Sequence, residues 1–305
     1  MDKKLLKIIK TSEDFKQIKK EIDTQMQGQC YCLINADKFL RESFLEVLLS
    51  YAFCGEIDKP CGECVKCEQI KNNNNIDICY FGNDGVQVKK DDIESLLESA
   101  ITKPYENRRK FLVVKNGDGL TEQCQNMLLK MLEELPAFDT VVLLFSGTQK
   151  ILPTIRSRSR SFLLHSLDKS ALVTMLGSSE RSLNIIKCTD SNIGKALELE
   201  ANSDFDDCLK FAQSILHSLD KSGDVPKYLL FLQSNKDRLD LVLYIIKGVF
   251  YMALKNEIES VMTKEKIAKV IELISYLEIN LSKKQNKLMV IDSLLMGIVK
   301  IKNEV

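Results

Sequence analysis

The sequence has neither a net charge nor a long hydrophobic run. Lys and Arg together number 43 among its 305 residues, and Asp and Glu also number 43. Such a chain has no global field that attracts nucleic acid, so binding of that kind would need a local basic patch. The most apolar stretch, Leu239 to Leu254, is short and contains Asp240 and Lys247. It predicts a core helix rather than a membrane span.

A secretory signal is also missing from the first residues. Met1 to Leu5 reads MDKKL and leads into a mixed polar helix instead of an apolar segment. Because the chain has ten cysteines, this start predicts a reducing cytoplasm, where thiols stay free. Six cysteines are expected to be free and buried: Cys30, Cys32, Cys79, Cys124, Cys188 and Cys208.

The other four cysteines lie close together as Cys54-x6-Cys61-x2-Cys64-x2-Cys67. Thiols at this density, with two overlapping CxxC steps, are typical of the tetrahedral shell of a structural Zn²⁺ ion. A thioredoxin-like redox site uses a single CxxC, and four ordinary half-buried thiols are the remaining alternative. The pattern favours a zinc knuckle at residues 54–67.

Short apolar runs alternate with helical periodicity in the first half of the chain. Five of these runs read as strands, near residues 30–34, 76–81, 111–114, 140–145 and 162–164. Helices between them predict right-handed crossovers and a parallel sheet that is covered on both faces. Beyond His165 only helical patterns follow, so we expect an α/β part and then an all-α part.

The first strand-to-helix turn lacks the residues of a phosphate site. In a parallel α/β domain this turn binds phosphate on backbone amides, and an active P-loop there needs G-x-x-x-x-G-K-[ST]. Here the turn is Asn35-Ala36-Asp37-Lys38, without glycine, and bulky Phe39 follows. Asp37 would place a negative charge where phosphate needs donors. The turn therefore predicts that this chain binds no ATP.

The end of the third predicted strand lacks a second element of ATP hydrolysis. Magnesium-dependent hydrolysis needs acidic residues directly after this strand, but Lys115 and Asn116 stand there. Two independent losses in one domain predict a nucleotide-binding fold without hydrolytic chemistry of its own. A divergent but active P-loop ATPase that uses Lys38 remains the alternative.

Three segments resemble the AAA+ subunits of bacterial clamp loaders: Arg109 to Val114, Leu120 to Pro136 and Ile151 to Ser159. A cysteine knuckle between the first helix and the second strand is another hallmark of this family. The resemblance implies a RecA-like AAA+ domain at residues 1–165, a small helical lid domain at 166–201 and a C-terminal helical collar domain at 202–305.

Within this family, an intact P-loop is typical of the ATP-hydrolysing gamma/tau subunit, and its absence is typical of the delta-prime subunit. The resemblance therefore implies a stator in the clamp loader of DNA polymerase III, which serves DNA replication. Active members carry a nucleotide-sensing arginine in the lid domain, where this chain has Gly194. The implied partners are gamma/tau-like and delta-like subunits in a hetero-oligomer, and through them a sliding clamp and primed DNA.

One chemical element of the active members is retained in Ser157-Arg158-Ser159. It resembles the family's Ser-Arg-Cys motif, whose arginine reaches the ATP bound by a neighbouring subunit. The planar guanidinium suits this task because it stabilises charge spread over phosphoryl oxygens. The resemblance thus implies that Arg158 is a trans-acting arginine finger, with Arg156 and Arg160 as surface contacts. A solvated basic loop is the alternative.

A zinc-dependent nucleic-acid-binding module is a further alternative. The charged residues of the knuckle are balanced, and no aromatic residues are interleaved with them: Glu56, Asp58, Lys59, Glu63 and Lys66. This composition argues against direct DNA contact. We expect the knuckle to staple a long insertion or to form a partner surface.

Overall fold

The computed structural model describes residues 3–24, 28–82, 87–219, 225–283 and 285–303. The chain divides into two compact units, Met1–Ala171 and Leu172–Val305. The first unit is α/β and the second is helical, in the predicted order. The further division of the helical part at residue 201 stays a prediction.

A five-stranded parallel sheet forms the centre of the first unit. Its strands are β1 (Gln29–Ile34), β2 (Ile78–Phe81), β3 (Lys110–Val114), β4 (Asp139–Phe145) and β5 (Arg160–Leu163). They lie in the order β2-β3-β4-β1-β5, and every neighbouring pair is parallel. The central strands β1, β3 and β4 are almost wholly buried, as expected when helices cover both faces of a sheet. The prediction of five parallel strands is confirmed.

The described part of this unit also contains the helices α1 (Lys3–Thr11), α2 (Glu13–Thr24), α3 (Lys38–Phe53), α4 (Val65–Lys71), α5 (Lys90–Ile101), α6 (Glu122–Glu133) and α7 (Pro153–Arg156). Alternate residues of the strands point to opposite faces. On one face, strand residues such as Cys32 and Leu112 pack in a core with Leu96 of α5 and Leu128 of α6. On the other face, Phe111 packs against Phe53 of α3, and the centroids of the two rings lie 5.5 Å apart.

The helical unit contains α8 (Lys169–Leu176, whose first residues precede the boundary), α9 (Glu180–Thr189), α10 (Ile193–Glu200), α11 (Phe205–Ser218), α12 (Val225–Ser234), α13 (Leu239–Leu254), α14 (Lys264–Ser282) and α15 (Lys287–Asn303). One hydrophobic core runs from α9 to α15, and most of the residues of α13 belong to this core. The prediction that Leu239 to Leu254 is a core helix is confirmed. Among the described residues, no helix has the length and apolar character needed to cross a membrane.

All ten cysteines are free thiols. Five of the six cysteines outside the knuckle are buried, as predicted, but Cys79 is only half-buried. The expectation for Cys79 is wrong because this residue lies on β2, an edge strand of the sheet, which the described residues flank with a strand on one side only.

Candidate functional site

The four knuckle cysteines converge on one point. Their sulfur atoms all lie within 4.8 Å of one another. The Sγ–Sγ distance is 3.6 Å between Cys54 and Cys61, 3.8 Å between Cys54 and Cys64, and 3.9 Å between Cys61 and Cys67. A tetrahedral zinc ion with Zn–S bonds of about 2.3 Å requires sulfur separations of about 3.8 Å. The donor set and its spacing therefore fit Zn²⁺.

The local fold brings these sulfurs together. Cys54 directly follows the end of α3, whereas Cys64 is the N-cap of α4 and Cys67 lies in its first turn. The chain reverses between these helices at Gly62, whose φ angle of 79° belongs to the left-handed region that favours glycine. Two helix ends and one glycine turn thus build the site.

The knuckle thiols differ in how readily they ionise. The backbone amides of Glu63 and Cys64 donate to Cys61 Sγ over 3.5 and 3.3 Å, and these hydrogen bonds lower the pKa of Cys61 to about 7. Burial instead raises the pKa of Cys54 and that of Cys67. A divalent cation in this cluster would favour the thiolate form of all four side chains.

Helix α1 holds the outer side of the knuckle. Lys3 forms an ion pair with Glu63, and Lys10 Nζ lies 2.6 Å from Asp58 Oδ1. The same ammonium donates to the Asp58 carbonyl over 3.2 Å. These contacts tie the knuckle to the beginning of the described chain, which agrees with a stapling role.

At the carboxyl end of β1, side chains of the turn itself occupy the place of a P-loop. The Asp37 carboxylate accepts hydrogen bonds from the amides of Phe39 and Leu40 over 3.0 and 3.3 Å and so caps α3. Asn35 accepts from the Asp37 amide over 2.6 Å and donates to the Leu164 carbonyl over 2.7 Å. A carboxylate therefore stands where a phosphate would bind at this helix N-terminus.

A buried arginine closes the same turn. The Arg41 guanidinium donates to the carbonyl of Asn35, and the side chain is shielded from solvent. Lys38, the residue at the lysine position of a P-loop, is exposed, with its Nζ 3.9 Å from Glu42 Oε1 on the same helix. The side chains of Asn35, Asp37 and Arg41 thus hold the turn through hydrogen bonds to neighbouring backbone groups.

At the carboxyl end of β3, the ammonium of Lys115 lies 4.4 Å from the centroid of the Tyr80 ring, a cation–π contact. The carboxylate of Asp118, farther along, accepts from the Ser146 amide over 3.0 and 3.2 Å. Asp118 therefore joins the loops that follow β3 and β4.

Arg158 lies on the surface, in the turn between α7 and β5. Its Nε and Nη2 lie 2.8 and 2.5 Å from Oε1 of Glu133, the last residue of α6. Its Nη1 makes two longer contacts of 3.3 Å, with the Thr154 carbonyl and with Ser157 Oγ. The Arg158 side chain is 36% exposed and that of Glu133 49%.

The turn that carries Arg158 is anchored to the sheet and to α6. The Cys32 thiol on β1 donates to Ser159 Oγ over 3.3 Å. Gln125 of α6 donates to the Lys150 carbonyl over 3.0 Å and accepts from the Leu152 amide over 2.9 Å. Sequence reasoning missed Gln125. A polar residue beside the buried positions of α6 was the available signal.

The neighbouring arginines do not gather around Arg158. Arg160 Nη1 lies 2.6 Å from Glu21 Oε1 on α2, and Arg156 ends α7 with an exposed side chain. Two of the three arginines are thus paired with carboxylates, which disfavours a basic patch for nucleic acid.

In the helical unit, Gly194 lies in the first turn of α10, which begins after the N-cap Asn192.

Comparisons with known proteins place this chain in a family. The family described as "DNA polymerase III, delta subunit" matches residues 10–168, more than half of the chain. The DNA polymerase III subunit delta' of Bacillus subtilis is 30% identical over 151 residues, which cover 48% of this chain and 46% of that protein.

Two further similarities extend this finding. The DNA polymerase III subunit tau/gamma of Haemophilus influenzae is 34% identical over 113 residues, which cover 37% of this chain and 16% of that protein. Matches to both relatives span less than half of their lengths. A crystal structure of a gamma subunit-related protein from Thermotoga maritima shares the fold, with a TM-score of 0.56, 15% identity, and coverage of 95% of this chain and 100% of that one. The chain belongs to the family described as "DNA polymerase III, delta subunit" and is similar to the delta' subunits of DNA polymerase III.

Proposed function

We propose that this protein is a clamp-loader subunit of DNA polymerase III that does not hydrolyse ATP and supplies Arg158 to an ATP site on a neighbouring subunit. The observation that carries the proposal is the Asp37 carboxylate at the N-terminus of α3, bonded to the amides of Phe39 and Leu40. Those amides lie where a P-loop would bind phosphate.

Electrostatics support the loss of this chain's own ATP site. A phosphate charge about 4 Å from the Asp37 carboxylate is repelled by about 4 kcal/mol at an effective dielectric constant of about 20. Binding there would also break the cap, which contributes about 1 kcal/mol. The turn also contains no glycine that could reshape around a ligand, which further supports the proposal.

The exposure of Arg158 supports a role in trans. Its guanidinium lies at the surface, on a turn anchored by Gln125 and Ser159. In the proposed complex, a gamma/tau-like subunit presents its bound ATP to this turn, and hydrolysis is coupled to loading of a sliding clamp on primed DNA. The C-terminal helices would join a collar with those of the partners. A Zn²⁺ ion held by Cys54, Cys61, Cys64 and Cys67 would have a structural role in this assembly.

The ATPase rate of the reconstituted complex tests the proposal. Loss of an arginine finger costs about 10³-fold or more in hydrolysis rate, so a complex with Arg158→Ala is expected to assemble normally and to lose DNA-stimulated turnover. Arg156→Ala, two residues away and also exposed, is the matched control and is expected to keep it. Unchanged turnover with Arg158→Ala contradicts the proposal.

A second candidate function is an active gamma/tau-like ATPase. The similarity to the tau/gamma subunit of Haemophilus influenzae and the exposed Lys38 favour it. Isothermal titration of the isolated protein with Mg-ATP separates the two functions. We expect no saturable binding, whereas saturable binding that is lost in Lys38→Ala would support the ATPase.

A further inference from the structure

The carboxylate of Glu133 binds one edge of the Arg158 guanidinium. Glu133 Oε1 lies 2.8 Å from Nε and 2.5 Å from Nη2. The remaining corner of the guanidinium, Nη1, contacts the Thr154 carbonyl and Ser157 Oγ, each over 3.3 Å. One edge is therefore held firmly, and the opposite corner is held by the longest hydrogen bonds.

We propose that Glu133 is the positioning residue of Arg158. It holds the Nε–Nη2 edge against the end of α6, so that Nη1 is the corner that a phosphoryl group of the neighbouring subunit binds. This inference rests on the proposed function and deepens it, because it assigns a second residue of this chain to the same trans-acting site.

Preorganisation is the physical reason for such a residue. A free arginine side chain samples many rotamers, and that freedom is lost when it binds a phosphate. Glu133 fixes the guanidinium before the nucleotide arrives. An exposed ion pair contributes little to folding stability, so the pair is better explained by the position that it gives to Arg158 than by support of the fold.

The backbone around the pair is already fixed without it. Gln125 binds the segment before α7 through the Lys150 carbonyl and the Leu152 amide, and Ser159 receives a hydrogen bond from Cys32. Removal of the Glu133 carboxylate should therefore leave the turn in place and release only the guanidinium.

The test uses the complex reconstituted with its partner ATPase subunits, clamp and primed DNA. Glu133→Ala is expected to lower kcat for ATP about 10- to 100-fold, since small misplacements of a catalytic group have effects of this size, while the KM for ATP stays unchanged. Glu133→Gln, which keeps a side-chain carbonyl acceptor, is expected to restore part of the rate. Glu134→Ala is the matched control, because Glu134 is the next residue and is also exposed, and it is expected to leave kcat unchanged.

A double-mutant cycle separates positioning from other roles. If Glu133 acts through Arg158, Glu133→Ala causes no further loss when Arg158 is already alanine. An equal loss in both backgrounds overturns the inference, and so does a rise in kcat, which would mean that Glu133 restrains the finger. Should Glu133→Ala fail to assemble, the same cycle with Glu133→Gln decides.

The outcomes also distinguish this inference from the proposed function. Normal turnover with Glu133→Ala, together with lost turnover in Arg158→Ala, rejects the positioning role and leaves the finger intact. Normal turnover with Arg158→Ala rejects the proposed function itself.

Discussion

The carboxylate of Asp37 accepts a hydrogen bond from the backbone amide of Phe39 over 3.0 Å, at the first turn of α3. A second bond, from the Leu40 amide, completes the cap. The same amides lie where phosphate would bind in an active P-loop. One side chain thus caps the helix, and in the proposed function the same side chain keeps phosphate out.

The cap has a measurable effect on stability. Asp37→Ala is expected to lower the free energy of unfolding by about 1 kcal/mol, because the orphan amides of α3 lose their acceptor. Asp37→Asn keeps an acceptor oxygen and is expected to lose only a few tenths of that amount. Urea unfolding measures both. An equal loss in the two variants would show that the charge of Asp37, rather than its cap, stabilises the fold.

Zinc content tests the knuckle. The purified protein is expected to contain about one zinc ion per chain, measured by elemental mass spectrometry, and Cys61→Ser is expected to lose most of it. Cys208→Ser, which removes a buried thiol of the helical unit, should keep the metal. A full zinc complement in Cys61→Ser would contradict the four-cysteine site.

Removal of the metal is expected to destabilise the first unit, because binding energy at a structural site is folding energy. A chelator should lower the midpoint of thermal unfolding. Zinc affinity should also fall as pH falls, since protons compete with the metal for the thiolates. A midpoint that does not change with chelator would mean that the contacts of α1 hold the knuckle without metal.

Asp139 predicts a pH dependence of stability. It pairs in register with Lys110 at the start of β3 and β4, and neither carboxylate oxygen has a hydrogen-bond partner among the described residues. Burial raises its pKa from the ordinary value of 3.8 to about 7, against the smaller opposing effect of Lys110. The folded state thus holds more protons than the unfolded state between these values. The contribution of protonated Asp139 to the free energy of unfolding is fully present below the unfolded pKa of the side chain. It is lost as pH rises through the folded pKa of about 7.

Asp139→Asn should remove this loss. Urea unfolding between about pH 5 and pH 9 is expected to show a smaller fall in stability for the variant than for the wild type, and a more stable variant at the alkaline end. Asp91→Asn, which changes an exposed aspartate of α5, controls for net charge. Identical slopes in the wild type and Asp139→Asn would contradict the raised pKa.

Two helical glycines should respond in opposite ways to alanine. A β-carbon at Gly248 of α13 would lie 2.8 Å from the backbone oxygen of Cys188, so Gly248→Ala is expected to cost about 1–3 kcal/mol through overpacking. At Gly297 of α15 the nearest atom is the end of the flexible Leu273 side chain. Gly297→Ala is expected to be neutral or to gain up to about 1 kcal/mol of helix propensity. Thermal unfolding distinguishes the two, and equal shifts would contradict this difference in packing.

The α/β part could be predicted because its central strands are buried on both faces. Such strands read as continuous apolar runs, as in Phe111 to Val114 and Val141 to Phe145, and helical patterns between them predict parallel pairing. The expectation that Cys79 is buried was wrong, since neither the redox compartment nor an apolar run reveals whether a strand lies at the edge of the sheet.

Of the candidate sites, the cysteine cluster could be predicted from the sequence, whereas the surroundings of Arg158 could not. Spacing alone predicted that Cys54, Cys61, Cys64 and Cys67 form one cluster, and their sulfurs do lie within 4.8 Å of one another, because a short segment can fold on itself. The partners of Arg158 could not be found in this way. Glu133 lies 25 positions earlier in the chain, and no local pattern indicates which carboxylate a surface arginine will bind.

By itself, the sequence determined the alternation of strands and helices, the four-thiol knuckle and the glycine-free turn at Asn35 to Lys38, because each depends on residues that are close along the chain. The tertiary structure decided which side chains meet partners that are distant along the chain: Asp118 with the Ser146 amide, Gln125 with the segment before α7, and Glu133 with Arg158. These contacts arise only when strand order and helix packing bring distant segments within hydrogen-bond distance.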